Sequence, residues 1–144
     1  MKKLSAALLL FLCLASAALG QVPQYFQPQI VSQGPINLTA SAIGTTGSVA
    51  ATLTGSSGKQ TYICGFVVTS GGTTTAITGN VTVTGTVSGT MNFTYVFVST
   101  GQGVLGFAVP NCIASANLGG NIVVNVPAGG AATVVAVSAW GYVL

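Results

Sequence analysis

TYICGFVVTSGGTTTAITGNVTVTGTVSGTMNFTYVFV, residues Thr61 to Val98, is the stretch from which the fold is read. From Val81 to Phe97 the odd positions are Val81, Val83, Gly85, Val87, Gly89, Met91, Phe93, Tyr95 and Phe97. The even positions are Thr82, Thr84, Thr86, Ser88, Thr90, Asn92, Thr94 and Val96. A β-strand turns successive side chains to opposite faces, so this alternation sets an apolar face on a core and a polar face toward water. Strands run about 3 to 10 residues, so the segment must turn back on itself, with Gly85 and Gly89 as the breaks. A two-residue loop at Ser88-Gly89 would set Val83 beside Thr94 and mix the faces, because cross-strand partners share a side. A three-residue loop, Val87-Ser88-Gly89, pairs Val83 with Phe93 and Val81 with Tyr95. It also puts glycine where a left-handed residue is needed, and it is the loop expected here.

Segments on either side supply further strands. Tyr62 to Val68 carries Tyr62, Cys64, Phe66 and Val68 on one side and Ile63 and Val67 on the other, as a strand covered from both directions would. Upstream, Ile36–Ser41 and Ser48–Thr54 are punctuated by Gly44, Gly47, Gly55 and Gly58. Ser70-Gly71-Gly72 is a turn leading to a short threonine-rich strand, Thr73–Ile77. Downstream come Gly103–Val109, which Pro110 is expected to stop, then Asn121–Val126, a turn at Pro127–Gly130, and Ala132–Val143. No segment shows a helical period with caps. Strand signals recurring about every 8 to 12 residues belong to sandwiches and barrels. The expected fold is all-β: one antiparallel two-sheet β-sandwich of jelly-roll or Greek-key type over residues 36–144.

The chain starts differently. Residues 1–20 carry Lys2 and Lys3, the apolar run LSAALLLFLCLASAALG and small residues at its end, the three parts of a secretory signal peptide. Cleavage after Ala17 or after Gly20 satisfies the small-residue rule. The run is short against the about 20 residues of a membrane span, so a secreted product, extracellular or periplasmic and without a span, is expected. Residues 21–35, QVPQYFQPQIVSQGP, form a Gln/Pro-rich extended arm. It reads either as a disordered terminus or as an arm docked on a neighbouring subunit through Tyr25, Phe26 and Ile30.

Charge removes whole classes of function. The chain has three Lys+Arg, no Asp or Glu and no His; Lys2 and Lys3 leave with the signal, and Lys59 remains. Nucleic acid needs clustered Lys or Arg and is not an expected partner. A Ser–His–Asp triad and a carboxylate pair are both impossible, so no enzyme is expected. No metal or cofactor is expected either: zinc would find two thiolates and calcium no carboxylate. Ser56, Ser57 and Lys59 are the nominal nucleophile–base set. The GSSGK run departs from a phosphate loop at Leu53, where glycine is required, and at Gln60, where Ser or Thr is required.

With Cys13 in the signal, Cys64 and Cys112 remain, and in an oxidising compartment they are expected to pair. The bridge would tie the Tyr62–Val68 strand to the loop after Gly103–Val109. Thr82, Thr84 and Thr86 would repeat every ~6.8 Å along a strand, a candidate hydroxyl array for ice or carbohydrate. The plainer account is that Thr suits the wet face of a sheet. Trp140 and Tyr142 share parity with Val134 and Ala136, which favours a core or interface role over an exposed sugar platform. Asn37-Leu38-Thr39, Asn80-Val81-Thr82 and Asn92-Phe93-Thr94 are N-glycosylation triplets, of consequence in a eukaryotic secretory route. These features point to a secreted, non-catalytic structural or surface-interaction protein whose partner is itself. It would self-assemble into a cell-surface layer, a fibre or a viral particle, because an uncharged chain lacks the repulsion that keeps copies apart. The alternative is a monomeric binding module for glycan or ice, using the threonine-rich face.

Overall fold

A computed structural model describes residues 37–72, 76–99 and 101–144. The expected signal at 1–20, the arm at 21–35 with Tyr25, Phe26 and Ile30, and Thr73 to Thr75 lie outside the described residues. The described chain is all-β, in eight strands: β1 Leu38–Gly44, β2 Val49–Leu53, β3 Thr61–Gly71, β4 Ile77–Thr86, β5 Gly89–Phe97, β6 Gln102–Ala114, β7 Ile122–Val126 and β8 Val134–Val143. They form two antiparallel four-stranded sheets, sheet A in the order β1-β8-β3-β6 and sheet B in the order β2-β7-β4-β5.

The pairing is nested about one turn. β4 pairs with β5, β3 with β6, β2 with β7 and β1 with β8, as if a single long hairpin had been wrapped onto itself. The β4–β5 link stays within a sheet, and each of the other links passes from one sheet to the other. β1 therefore meets β8 across nearly the whole described chain, with Leu38 beside Gly141. Pairings this distant form late, because loop-closure entropy is lost before the contacts are gained.

Period-two burial holds the sheets together. Val49, Ala51 and Leu53 of β2, Ile122, Val124 and Val126 of β7, and Val135, Val137 and Ala139 of β8 all enter one core. That core draws on both sheets, which gives a β-sandwich-like arrangement. Its two flanks differ in side-chain size. Ala40, Ala42, Ala51 and Ala139 pack on the β1–β8–β2 side. Phe66, Phe93 and Phe107 form a triangle on the other, with ring centroids 4.7 to 5.5 Å apart. Phe93 belongs to sheet B and the other two to sheet A, so this triangle fastens one sheet to the other. Near it, Ser70 Oγ of β3 and Tyr95 Oη of β5 are hydrogen-bonded at 2.7 Å across the sandwich.

The hairpin differs from the sequence reading in register. Val83 pairs with Met91 and Val81 with Phe93, and Thr86 pairs with Gly89. Gly89 is left-handed as expected, at φ 78°. The two-residue shift has two equal parts: the loop is two residues, Val87-Ser88, where three were expected, and a β-bulge adds one more step, with Thr84 and Gly85 together opposing Thr90 and Gly85 at φ 83°. The extra residue lets the turn be tight while Val81, Val83, Phe93, Tyr95 and Phe97 keep their common face. A second bulge, at Cys64, corrects the reading of β3. Ile63 pairs with Gly141 and Gly65 with Trp140, so Cys64 is the extra residue. Ile63 thereby joins Phe66 and Val68 in the core, while Tyr62 turns away from them.

Pro110 does not end a strand. β6 runs through it to Ala114, but its register with β3 jumps from Ala108↔Gly65 to Ile113↔Ile63. Edge strands and bulges are the places where a sheet accepts proline, and β6 is an edge strand bulged at this point. The expected disulfide bridges the same irregularity: Cys64 and Cys112 are bonded with their Cα atoms 4.2 Å apart. It therefore links neighbouring strands of sheet A, where a strand-to-loop tie had been expected.

Two stability outcomes follow. Cys64→Ala with Cys112→Ala is expected to lower the unfolding free energy by about 2–5 kcal/mol in denaturant titration, close to the about 4 kcal/mol of the chain-entropy model for a loop this long. In Gly85→Ala the new methyl would lie 2.2 Å from the Asn121 carbonyl oxygen, whereas at Gly89 nothing lies within 4 Å. Gly89→Ala should cost about 1–2 kcal/mol for the left-handed backbone alone, and Gly85→Ala clearly more.

Candidate functional site

The sandwich presents two broad outer faces of different chemistry. On sheet B, Thr82 lies between Asn92 and Asn125, and Asn80 lies beside Thr94. Thr84 pairs with Val123, which in turn pairs with Thr52 of the edge strand. Apart from Val96 and Val123, the surface consists mainly of hydroxyls and amides that water can satisfy. The threonine series itself breaks at the bulge. Thr82 and Thr84 remain on the outer face, half-buried among their neighbours, but Thr86 is turned inward at 3% exposure. Its hydroxyl donates to the Gly89 carbonyl at 2.7 Å, closing the hairpin turn. A three-threonine array at strand spacing is therefore absent at these positions.

Sheet A turns a drier face outward. Core residues Val135, Val137 and Ala139 alternate along β8 with Val134, Ala136, Ser138, Trp140 and Tyr142, which point away from the core. Register carries this face across the sheet. Ile43 adjoins Ala136, which adjoins Thr69, which adjoins Val104. Ser41, Ser138, Val67 and Gly106 form the next row. None of these side chains is charged, and Ile43 is 72% exposed, Val104 65% and Val134 43%. A shallow open concavity of about 380 Å³ lies at this end, lined by Ile43, Thr69, Gly71, Gln102, Val134 and Ala136.

The opposite end of the same face is aromatic. Tyr142 stacks on Tyr62 with centroids 4.6 Å apart and planes at 21°. Trp140 lies over Gly65, where a methyl group would come within 2.4 Å of the indole Cζ2. Trp140 and Tyr142 are thus half-buried on the outside of sheet A and take no part in the central core. Parity had grouped them with Val134 and Ala136, and the structure keeps that grouping on the outer face. Tyr62 was missed as their companion because the bulge at Cys64 reverses its side.

Polar groups at the strand ends satisfy one another. Gln60 Nε2 donates to the Ser115 carbonyl and to Ser115 Oγ, the latter at 2.9 Å. Ser115 Oγ in turn donates to the Asn117 carbonyl at 2.8 Å. Lys59 is exposed; its N–H donates to the Ser56 carbonyl at 3.0 Å and its carbonyl accepts from Gly119 N–H at 2.6 Å. These bonds shape the Ser56–Lys59 turn through the backbone. Of the three glycosylation triplets, Asn80 and Asn92 are exposed on sheet B, while Asn37 Oδ1 accepts the Val143 N–H at 3.0 Å.

No protein-family model, curated protein or solved structure matches this chain.

The separate role of Thr86 is open to measurement. Thr86→Val removes the hydrogen bond from a buried hydroxyl to the carbonyl of the exposed Gly89, which should cost about 0.5–1.5 kcal/mol of stability. Thr82→Val and Thr84→Val, on the outer face, should each stay within about 0.5 kcal/mol of the parent in the same thermal or denaturant melts.

Proposed function

We propose that this is a secreted, non-catalytic structural protein that assembles with copies of itself, in a cell-surface layer, a fibre or a particle. The observation that carries the reading is the outer face of sheet A, uncharged and bearing exposed Ile43, Val104 and Val134. Beyond residue 20 the chain has a single charged side chain, Lys59. Little electrostatic repulsion would then oppose contact between copies. The available side chains favour a passive role, since His, Asp, Glu and Arg are the usual carriers of acid–base and charge-stabilising chemistry and all are missing.

Export is supported by the signal-like residues 1–20 and by the Cys64–Cys112 disulfide, which is compatible with an oxidising compartment. No helix among the described residues is long and apolar enough to cross a membrane. The finer fold assignment also belongs to this reading: we take the sandwich to be a jelly roll. Its support is the nested pairing, with sheets ordered β1-β8-β3-β6 and β2-β7-β4-β5 and all links but one crossing between them. Jelly rolls build viral capsids and also lectins, so the fold alone does not choose a role.

A second reading, glycan binding by a monomer, draws on the contiguous Asn80, Thr82, Asn92, Thr94 and Asn125 surface of sheet B. Light scattering on the mature protein, with and without reductant, separates the two. A defined multiple of the monomer mass is expected, kept in reductant as long as circular dichroism shows the fold intact. A strict monomer at high concentration would overturn the assembly reading, and binding to a glycan panel by that monomer would establish the second.

A further inference from the structure

We infer that the outer face of sheet A is the surface on which a second copy of this chain packs, face to face about a twofold axis. The inference rests on the self-assembly reading above and adds the surface and the geometry. The first ground is an internal comparison. One sequence builds two outer sheet faces, and on sheet B it places Thr52, Thr78, Asn80, Thr82, Thr84, Asn92, Thr94 and Asn125, with Val96 and Val123 the large apolar residues among them. The outer face of sheet A carries Ile43, Val67, Val104, Val134, Ala136, Trp140 and Tyr142, with Thr39, Ser41, Thr69 and Ser138 as its hydroxyl residues, and is the more apolar of the two. A monomer would gain nothing from drying one face and wetting the other, whereas a buried interface would.

The second ground is charge. The face has no ionised group to pair with a charged partner, and such a partner would lose hydration without compensation. A second copy is itself almost free of charge. The third is size. Four strands about 4.8 Å apart, over the rows from Val134 to Tyr142 at about 3.4 Å per residue, give a footprint of roughly 500 Å² per copy. Two copies together would bury about 1,000 Å², the level at which a contact becomes a specific interface.

Shape selects the orientation. The centre of the face is lower than its ends: Ser41, Ser138 and Gly106 share a row with Val67, while Trp140 covers Gly65 in the row toward the aromatic end. Two such faces can approach closely. A twofold axis lying in the interface and crossing the strands at Ser138 brings the Trp140–Tyr142 end of one copy over the concavity beside Ile43 and Ala136 of the other. The same contact then occurs twice, as an isologous interface requires.

The test uses the full mature chain. Ile43→Lys with Val104→Lys places like charges into the proposed contact, and Thr52→Lys with Asn92→Lys is the matched change on sheet B. Circular dichroism checks that both variants keep the fold. Analytical ultracentrifugation should show the sheet A variant monomeric, with at least a tenfold higher dissociation constant, and the sheet B variant like the parent. Ser138→Cys, treated with a short bis-maleimide, should give a covalent dimer, because Ser138 lies on the axis. If the parent associates and the sheet B variant alone disperses it, the surface is wrong while self-assembly stands. Dispersal solely by deletion of residues 21–35 would likewise reject the surface, in favour of the arm. A parent that stays monomeric at every concentration would overturn this inference and the reading beneath it together.

Discussion

Partners across a β-ladder must share a face, and this sandwich meets that condition by inserting single residues at Gly85 and Cys64. Each bulge changes the parity of its strand. Without the one at Gly85, a tight β4–β5 turn would set valines of β4 against polar residues of β5. Without the one at Cys64, Ile63 would leave the core and Tyr62 would enter it. The residues present suit the task. Glycine takes the left-handed backbone at Gly85, and the disulfide from Cys64 to Cys112 holds the second irregularity against the edge strand.

From that constraint follows the contrast between the faces. Once parity is settled, every strand has an inner and an outer set, and the outer sets can be compared. Sheet B gives mostly threonine and asparagine to solvent, with Val96; sheet A gives mostly valine, isoleucine, alanine and an aromatic cluster of Tyr62, Trp140 and Tyr142, with Thr39, Ser41 and Thr69. Neither set contains a charge. In most soluble proteins charged side chains on edges and faces keep copies apart. Here solubility would rest on hydroxyls and amides, and these are concentrated on one side.

The nested pairing explains how a chain rich in glycine and threonine holds a single arrangement. Every sheet contains a pair distant in sequence, so no half of the sandwich can bury its apolar side alone. The Phe66–Phe93–Phe107 triangle and the Ser70–Tyr95 hydrogen bond join the sheets directly, and the disulfide reduces the freedom of the unfolded chain between β3 and β6.

Much of this was legible in the residues themselves. Period-two alternation marked β4, β5 and β7, and it placed Val81, Val83, Tyr95, Phe97, Ile122, Val124 and Val126 on the buried side, because successive side chains of a strand take opposite faces. The absence of Asp, Glu and His is likewise a property of composition that no fold could change. What the tertiary structure decided was whatever depends on a neighbour. The hairpin register, the inward turn of Thr86, the passage of β6 through Pro110 and the side taken by Tyr62 all hang on bulges. A bulge is set by the strand alongside, and a single strand's pattern does not contain it. The joining of Ile43, Ala136, Thr69 and Val104 into one row is of the same kind, since those residues come from four strands spread over the described chain and meet only when the sheet is complete.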